Sequence, residues 1–422
     1  MCRLIGKEPS RSLINPYYIY VLSFFAVLAA YLFGWSNLFP PLGSSLLVFL
    51  LCSILIALFM GRAFVKRNII RFNHIDYKNS LSWVTYAILV GYFIEFLYFG
   101  NFPLLAIFTH SSLSYTDFGI PTFHVFLVTF NSFFSIYLFQ LLLSETKEKR
   151  KVLLYFILTL VPSLLILNRG MLIIILMSCL FVYLIKYQAK ITFRKIAGLA
   201  IIAVISLYLF GMVGNMRVNH SYHTNTSIFD NSMFLQIGGA TKDFKSSMIP
   251  KEFFWGYIYA SSPLANLQET IDKYEMKKDI SLSDSFEFTM TQILPDFISK
   301  RIVKAYDIKI PNAVQIAPEL NVSTAFAQPF LILGWVGISL FTIFCFLFSF
   351  VYILLLKRMN SEYFVVGVAI INSIFVFNTF NNMFAFTGLS FQLVYPILFT
   401  LFSKKINPRA VSDEKNISNS VI

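Results

Sequence analysis

Arg169 stands in Asn168-Arg169-Gly170 between two long apolar runs, where a permanent charge is costly. A guanidinium in that position reads as a phosphate-binding group, because its planar fork matches phosphate bidentately. Gly170 beside it lets backbone or ligand approach closely. The competing reading is an arginine that snorkels and closes a helical hairpin. Arg217, in Gly214-Asn215-Met216-Arg217, follows a later apolar run. Two arginines at one level would clamp a diphosphate, and the alternative for Arg217 is an interfacial anchor. His220 and His223 come next. Either imidazole can take a proton from a hydroxyl, and either is as ordinary as a surface histidine.

Glu95 lies five residues from the end of the apolar run 81–100. A carboxylate inside such a run is a functional candidate by default. It reads as a base or as the structural mate of Arg169 or Arg217. The stretch Tyr257-Ile258-Tyr259-Ala260-Ser261-Ser262-Pro263-Leu264-Ala265-Asn266 combines aromatic faces with hydroxyls and an amide. That mixture suits carbohydrate, with Tyr259 stacking and Asn266 hydrogen-bonding, and it equally suits a turn in an interfacial aromatic belt. Asn321 opens Asn321-Val322-Ser323-Thr324-Ala325-Phe326, ahead of Gly334-Trp335-Val336-Gly337, and reads as a helix cap or a ligand contact. Asn378, Asn381 and Asn382 read as a hairpin turn.

The elements that must position these groups are apolar. The chain is 57% hydrophobic and 18% aromatic, with mean hydropathy +0.69. That excess predicts an all-α polytopic membrane protein. Ten runs approach the ~20 residues a span needs: 16–35, 41–60, 81–100, 121–143, 152–167, 170–186, 196–213, 329–356, 363–380 and 383–402. The first run is long enough to span and lacks a small-residue cleavage site, so no cleaved signal is expected. If ten spans alternate, 22 of the Lys and Arg residues fall on one side, and the short loops 36–40, 101–120 and 381–382 hold none. The basic side is then cytoplasmic, with both termini inside and the polar segment 214–328 outside. That segment carries 11 Lys and Arg against 12 Asp and Glu, so the formal net charge of +13 is a topology signal rather than a nucleic-acid one.

Four units follow: an N-terminal bundle 1–213, the loop 214–328, a C-terminal bundle 329–402 and a cytoplasmic tail 403–422. The loop is rich in aromatics, which argues for order and for short helices on the membrane surface. A helix is expected to open at Pro263 and run to 275. Residues 310–323 read as irregular chain returning to the membrane, and the apolar patch in 101–120 reads as a re-entrant or surface segment. The loop has no cysteine, so packing rather than disulfides must hold it. No metal-binding Cys or His spacing appears, and no cofactor is expected.

Taken in this order, the NRG hairpin, the arginine after the next span, the large outer loop, Tyr-Ile-Tyr-Ala-Ser-Ser-Pro-Leu-Ala-Asn and Asn-Val-Ser-Thr…Leu-Gly-Trp-Val-Gly resemble the O-antigen polymerases (Wzy-type) and the wider oligosaccharide repeat-unit polymerase family. The resemblance implies a GT-C-like membrane glycosyltransferase at the outer face of the bacterial cytoplasmic membrane. Its substrates would be oligosaccharides carried on undecaprenyl diphosphate, with a chain-length regulator and a flippase as partners. It implies Arg169 and Arg217 on the diphosphate, and His220, or else His223 or Glu95, as the base. The loop shows no paired acids at metal-ligand spacing, which fits a metal-independent transfer. O-antigen ligases share the plan and differ in the acceptor. A flippase or transporter would instead show inverted repeats or midplane charges.

Overall fold

The computed structural model describes residues 12–108, 118–144, 146–187, 193–221, 229–274, 280–308 and 310–406. Among them the secondary structure is helical, with one isolated bridge between Ser36 and Ala240. Every apolar run forms a helix. The first bundle comprises α1 (Pro16–Tyr31), α2 (Ser44–Lys66), α3 (Ser80–Phe99), the short α4 (Pro103–Phe108), α5 (Phe123–Leu143), α6 (Lys149–Leu165), α7 (Arg169–Tyr187) and α8 (Phe193–Ser221). Local chemistry sets the boundaries. Asn15 caps α1 by accepting from the Tyr18 amide at 3.1 Å, with Pro16 in the first helical position. Gly100, at φ 60°, ends α3.

Among the described residues, six helices are long and apolar enough to cross a membrane: Ser44–Lys66, Ser80–Ala106, Phe123–Leu143, Arg169–Tyr187, Ile201–Asn219 and Ala327–Arg358. Pro16–Tyr31, Phe364–Phe377 and Thr387–Ser403 are apolar but shorter, and α6 opens on three cations. The expectation of ten full-length spans is therefore met by six. The shortest case has a physical explanation. Helix α15 (Phe364–Phe377) has 14 residues, and those from Phe364 to Phe375 are all buried. At ~1.5 Å per residue it reaches roughly 21 Å, less than the hydrocarbon thickness. It packs against α1, α5, α7 and α14 and so needs no lipid-facing length of its own.

Segment 214–328 departs from the surface-helix expectation. Short helices are present: α9 (Ser232–Ile237), α10 (Lys242–Ser246), α12 (Leu282–Phe288) with a π-turn at Thr289–Ile293, and α13 (Asp296–Ala305). Between them runs α11 (Phe253–Lys273), 21 residues long and largely buried against α1, α8 and α14. Pro263 lies inside α11 rather than opening it. The helix begins ten residues earlier because Phe254, Trp255, Tyr257 and Ile258 form a buried cluster with Phe234 and Phe244. Trp255 stacks on Phe234 at 3.6 Å and 7°. Backbone bonds from Asn37 N to Gly239 O (2.8 Å) and from Thr241 N to Trp35 O (2.9 Å) tie the segment to the α1–α2 loop.

Residues 311–324 form no helix and lead into α14 (Ala327–Arg358). Gly334 breaks α14 with φ 57° and ψ −141°. Gly337 sits so close to the Pro329 carbonyl that a Cβ would clash there. Helix α15, the turn 378–387, α16 (Thr387–Ser390) and α17 (Val394–Ile406) complete the chain.

Candidate functional site

Glu95 is fully buried near the end of α3, and its partner is neither arginine. His124 Nδ1 lies 2.9 and 3.1 Å from the two carboxylate oxygens. The Ile120 amide donates to Oε1 at 3.1 Å. Where Nδ1–H donates to this carboxylate, a neutral ring keeps Nε2 as an acceptor. The His124 side chain is 20% exposed, so the ring connects a buried charge to the surface.

The chain around His124 is bent to make this contact. Gly119, at φ 116°, packs so tightly under the ring that a Cβ there would collide with it. Thr122, the residue before α5, sits at φ 72°. A left-handed threonine costs roughly 1–3 kcal/mol and persists only where neighbours hold it. One such neighbour is Arg301 of α13, whose Nη2 donates to Thr122 Oγ1 at 2.8 Å. The start of α13 is in turn fixed to the C-terminal turn. The Asp296 amide donates to Ala385 O at 2.7 Å, and the Phe297 amide donates to Thr387 Oγ1 at 2.9 Å. Burial pushes the Asp296 carboxyl above the usual range, and Lys300 pulls it partly back.

Asn168 caps α7, its Oδ1 accepting from the Met171 amide at 3.1 Å, and Leu167 makes the turn at φ 61°. Arg169 is exposed at the first turn of α7 and has no ion-pair or side-chain hydrogen-bond partner among the described residues. Gly170 is open: a Cβ would meet only Asn168 Oδ1, at 3.8 Å. Met171 lies under the α16 turn, where a Cβ on Gly388 would come within 3.1 Å of its sulfur. The Arg169 hairpin thus belongs to the same end of the bundle as α13 and His124.

Arg217 is exposed on α8, which packs against α11 and α9, whereas α7 packs against α5, α6 and α15. The two arginines therefore stand on helices with different neighbours. The residues before Arg217 are structural. Gly214 abuts the Trp255 ring, and Asn215 is buried, accepting from Trp255 Nε1 at 2.8 Å and donating to Asn231. His220 lies in α8, and His223 falls outside the described residues.

Asn266 is buried, and its amide is fully used. Nδ2 donates to the carbonyls of Leu320 (2.5 Å) and Val322 (2.7 Å), and Oδ1 accepts from the Ile316 amide at 2.8 Å. It clamps the irregular return segment rather than facing a cavity. Asn321 does face one. A cavity of about 200 Å³ is lined by Asn312, Gln315, Asn321, Ser323, Gln328 and Asn381, with no ionisable side chain. Gln328 Oε1 is buried there with no hydrogen-bond partner among the described residues. Phe380 and Asn321 also border an adjoining cavity of about 130 Å³ that Tyr259 helps to line. Neutral amides and hydroxyls beside aromatic rings supply both donors and acceptors to vicinal hydroxyls.

Sequence reading singled out Glu95 without its partner. The signal was available: a buried carboxylate needs one, and His124 is a polar residue one position into an apolar helix beginning at the same end. Arg301 carried no such signal, since its place depends on how α13 docks.

No family model, no curated protein and no solved structure matches this chain.

Proposed function

We propose that the chain is a membrane glycosyltransferase that polymerises lipid-diphosphate-linked oligosaccharide repeat units at the outer face of the cytoplasmic membrane. The observation that carries this reading is the part-exposed His124 held on a fully buried Glu95. If the four shorter or more polar helices cross along with the six long ones, alternation puts that end of the bundle outside, away from ATP and nucleotide sugars, and the count of basic residues supports this orientation.

The proposed step is a displacement at the anomeric carbon of the growing chain. The acceptor hydroxyl oxygen forms the new bond to that carbon as the bond to the carrier's diphosphate breaks. His124 Nε2 takes the hydroxyl proton, and Glu95 stabilises the imidazolium that results. Arg169, open to solvent at the same end, faces the departing diphosphate, where a fixed cation stabilises developing charge. Asn321 and the neighbouring amides hold the sugar. Tyr259 offers a stacking face. Arg217 stands on α8, which packs against α11 and α9, and is a second candidate cation for the diphosphate.

Deletion of the gene, followed by gel analysis of the surface polysaccharide, tests the proposal. A polymerase loss leaves a single capped repeat unit and no ladder. Loss of all capping instead indicates a ligase or a flippase and overturns the reading.

A further inference from the structure

The far end of α14 holds a third cavity, remote from the site above. It has a volume of about 520 Å³ and lies where the C-termini of α2 and α14 meet. Arg67, Arg71 and Lys357 line it, with Asn68, Asn73 and Asn360 between them. Both helices end alike: Asn68 at φ 46° and Asn360 at φ 47° turn the chain in the left-handed region. The Ile69 amide reaches back to Phe64 O at 3.2 Å, and the Ser361 amide to Leu356 O at 3.1 Å.

The cavity has an excess of positive charge. No acidic side chain lines it. The carboxylate nearest in the chain, Glu362, is taken by Lys78, which contacts both its oxygens at 2.8 Å. None of the three cations is paired with a carboxylate among the described residues. Two helix C-termini contribute roughly half a negative charge each, so they offset about one cation and leave roughly two.

The cations are also positioned. With its amide turned to accept, Asn68 takes Arg71 Nη2 at 2.7 Å and Nε at 3.0 Å, which fixes the guanidinium plane. Asn73 is held from two sides, donating to Glu362 O at 3.0 Å and accepting from Gln140 Nε2 at 3.1 Å. A sidedness signal alone needs scattered charge. It does not need a concave site with an oriented fork.

We propose that this cavity binds the phosphate group of an anionic ligand, either a phospholipid head group or a soluble phosphate ester. Paired forks and a lysine suit phosphate oxygens, and basic pockets between spanning helices hold anionic head groups. This site is independent of the glycosyltransferase reading.

The test uses the purified full-length protein and native mass spectrometry with three probes: short-chain phosphatidylglycerol, short-chain phosphatidylcholine and inorganic pyrophosphate. The wild type is expected to bind phosphatidylglycerol or pyrophosphate and to discriminate against phosphatidylcholine. Preference for phosphatidylglycerol identifies a head group, and preference for pyrophosphate a small soluble phosphate group. R67Q/R71Q/K357Q is expected to bind roughly 100-fold more weakly, at about fivefold per cation. Asn68→Gly keeps the left-handed turn and every charge but frees Arg71, and is expected to weaken binding about fivefold. Arg358→Gln, outside the cavity, is the charge control and should leave binding unchanged. The proposal is overturned if the wild type binds neither anion, if phosphatidylcholine binds as well, or if N68G and the triple variant match the wild type. Equal loss in R358Q also overturns it.

Discussion

At the scale of single residues, the proposed chemistry rests on the Glu95–His124 pair. His124→Gln keeps a hydrogen bond to Glu95 but cannot accept a proton, so turnover in proteoliposomes should fall about 10²–10⁴-fold with little change in substrate binding. Wild-type turnover in that variant would remove His124 from the mechanism. Arg169 separates charge from geometry. Arg169→Ala should cost about 100-fold or more, whereas Arg169→Lys keeps the charge, loses the fork and should fall between. Polymerisation by both variants at the wild-type rate would end the diphosphate role. Glu95 and Arg169 were legible because charge inside apolar sequence is costly and therefore conspicuous. Asn266 was equally conspicuous as an amide among hydroxyls, yet three backbone groups of the return segment use it. Side-chain chemistry alone does not distinguish an amide that meets ligand from one that meets its own chain.

At the scale of elements, backbone shape and docking decide the site. Gly119 must be left-handed and must leave room for the His124 ring. Gly119→Ala should therefore destabilise the protein by about 1–3 kcal/mol and reduce activity with it, as seen by thermal unfolding in detergent. An unchanged melting temperature would show that the turn tolerates a Cβ. The burial of Asp296 at the start of α13 gives a pH-dependent test. Its folded pKa is raised, so its contribution to stability is complete below the unfolded carboxylate pKa of ~4 and is lost as pH rises through the folded value. Asp296→Asn should raise the melting temperature at neutral pH, with the gain fading toward pH ~4. A gain that is constant with pH would refute the assignment. The length of the apolar runs announced the apolar helices well. The docking of α11 and α13 was not announced, because amphipathic loop helices read alike whether they lie on a surface or insert between spans.

At the scale of the whole molecule, sidedness organises everything else. The basic ends of α2 and α14 lie at one end of α14, and the amide-lined cavity lies at the other. In a cysteine-free background, Ser246→Cys should react with a membrane-impermeant maleimide in intact spheroplasts, and Lys149→Cys only after lysis. The reverse pattern would invert the topology. Composition made the membrane class legible, and the charge count supplied an orientation. Helix lengths were less legible, since α15 is enclosed by neighbours and needs no full span of its own. Reconstitution is the direct test of polymerisation by this chain. The purified protein in proteoliposomes would receive a synthetic undecaprenyl-diphosphate-linked oligosaccharide, with no nucleotide sugar and no ATP. A ladder of products spaced by one repeat unit is expected, abolished by His124→Gln. A carrier that stays fully charged with single units, or a ladder that H124Q makes equally well, would contradict it.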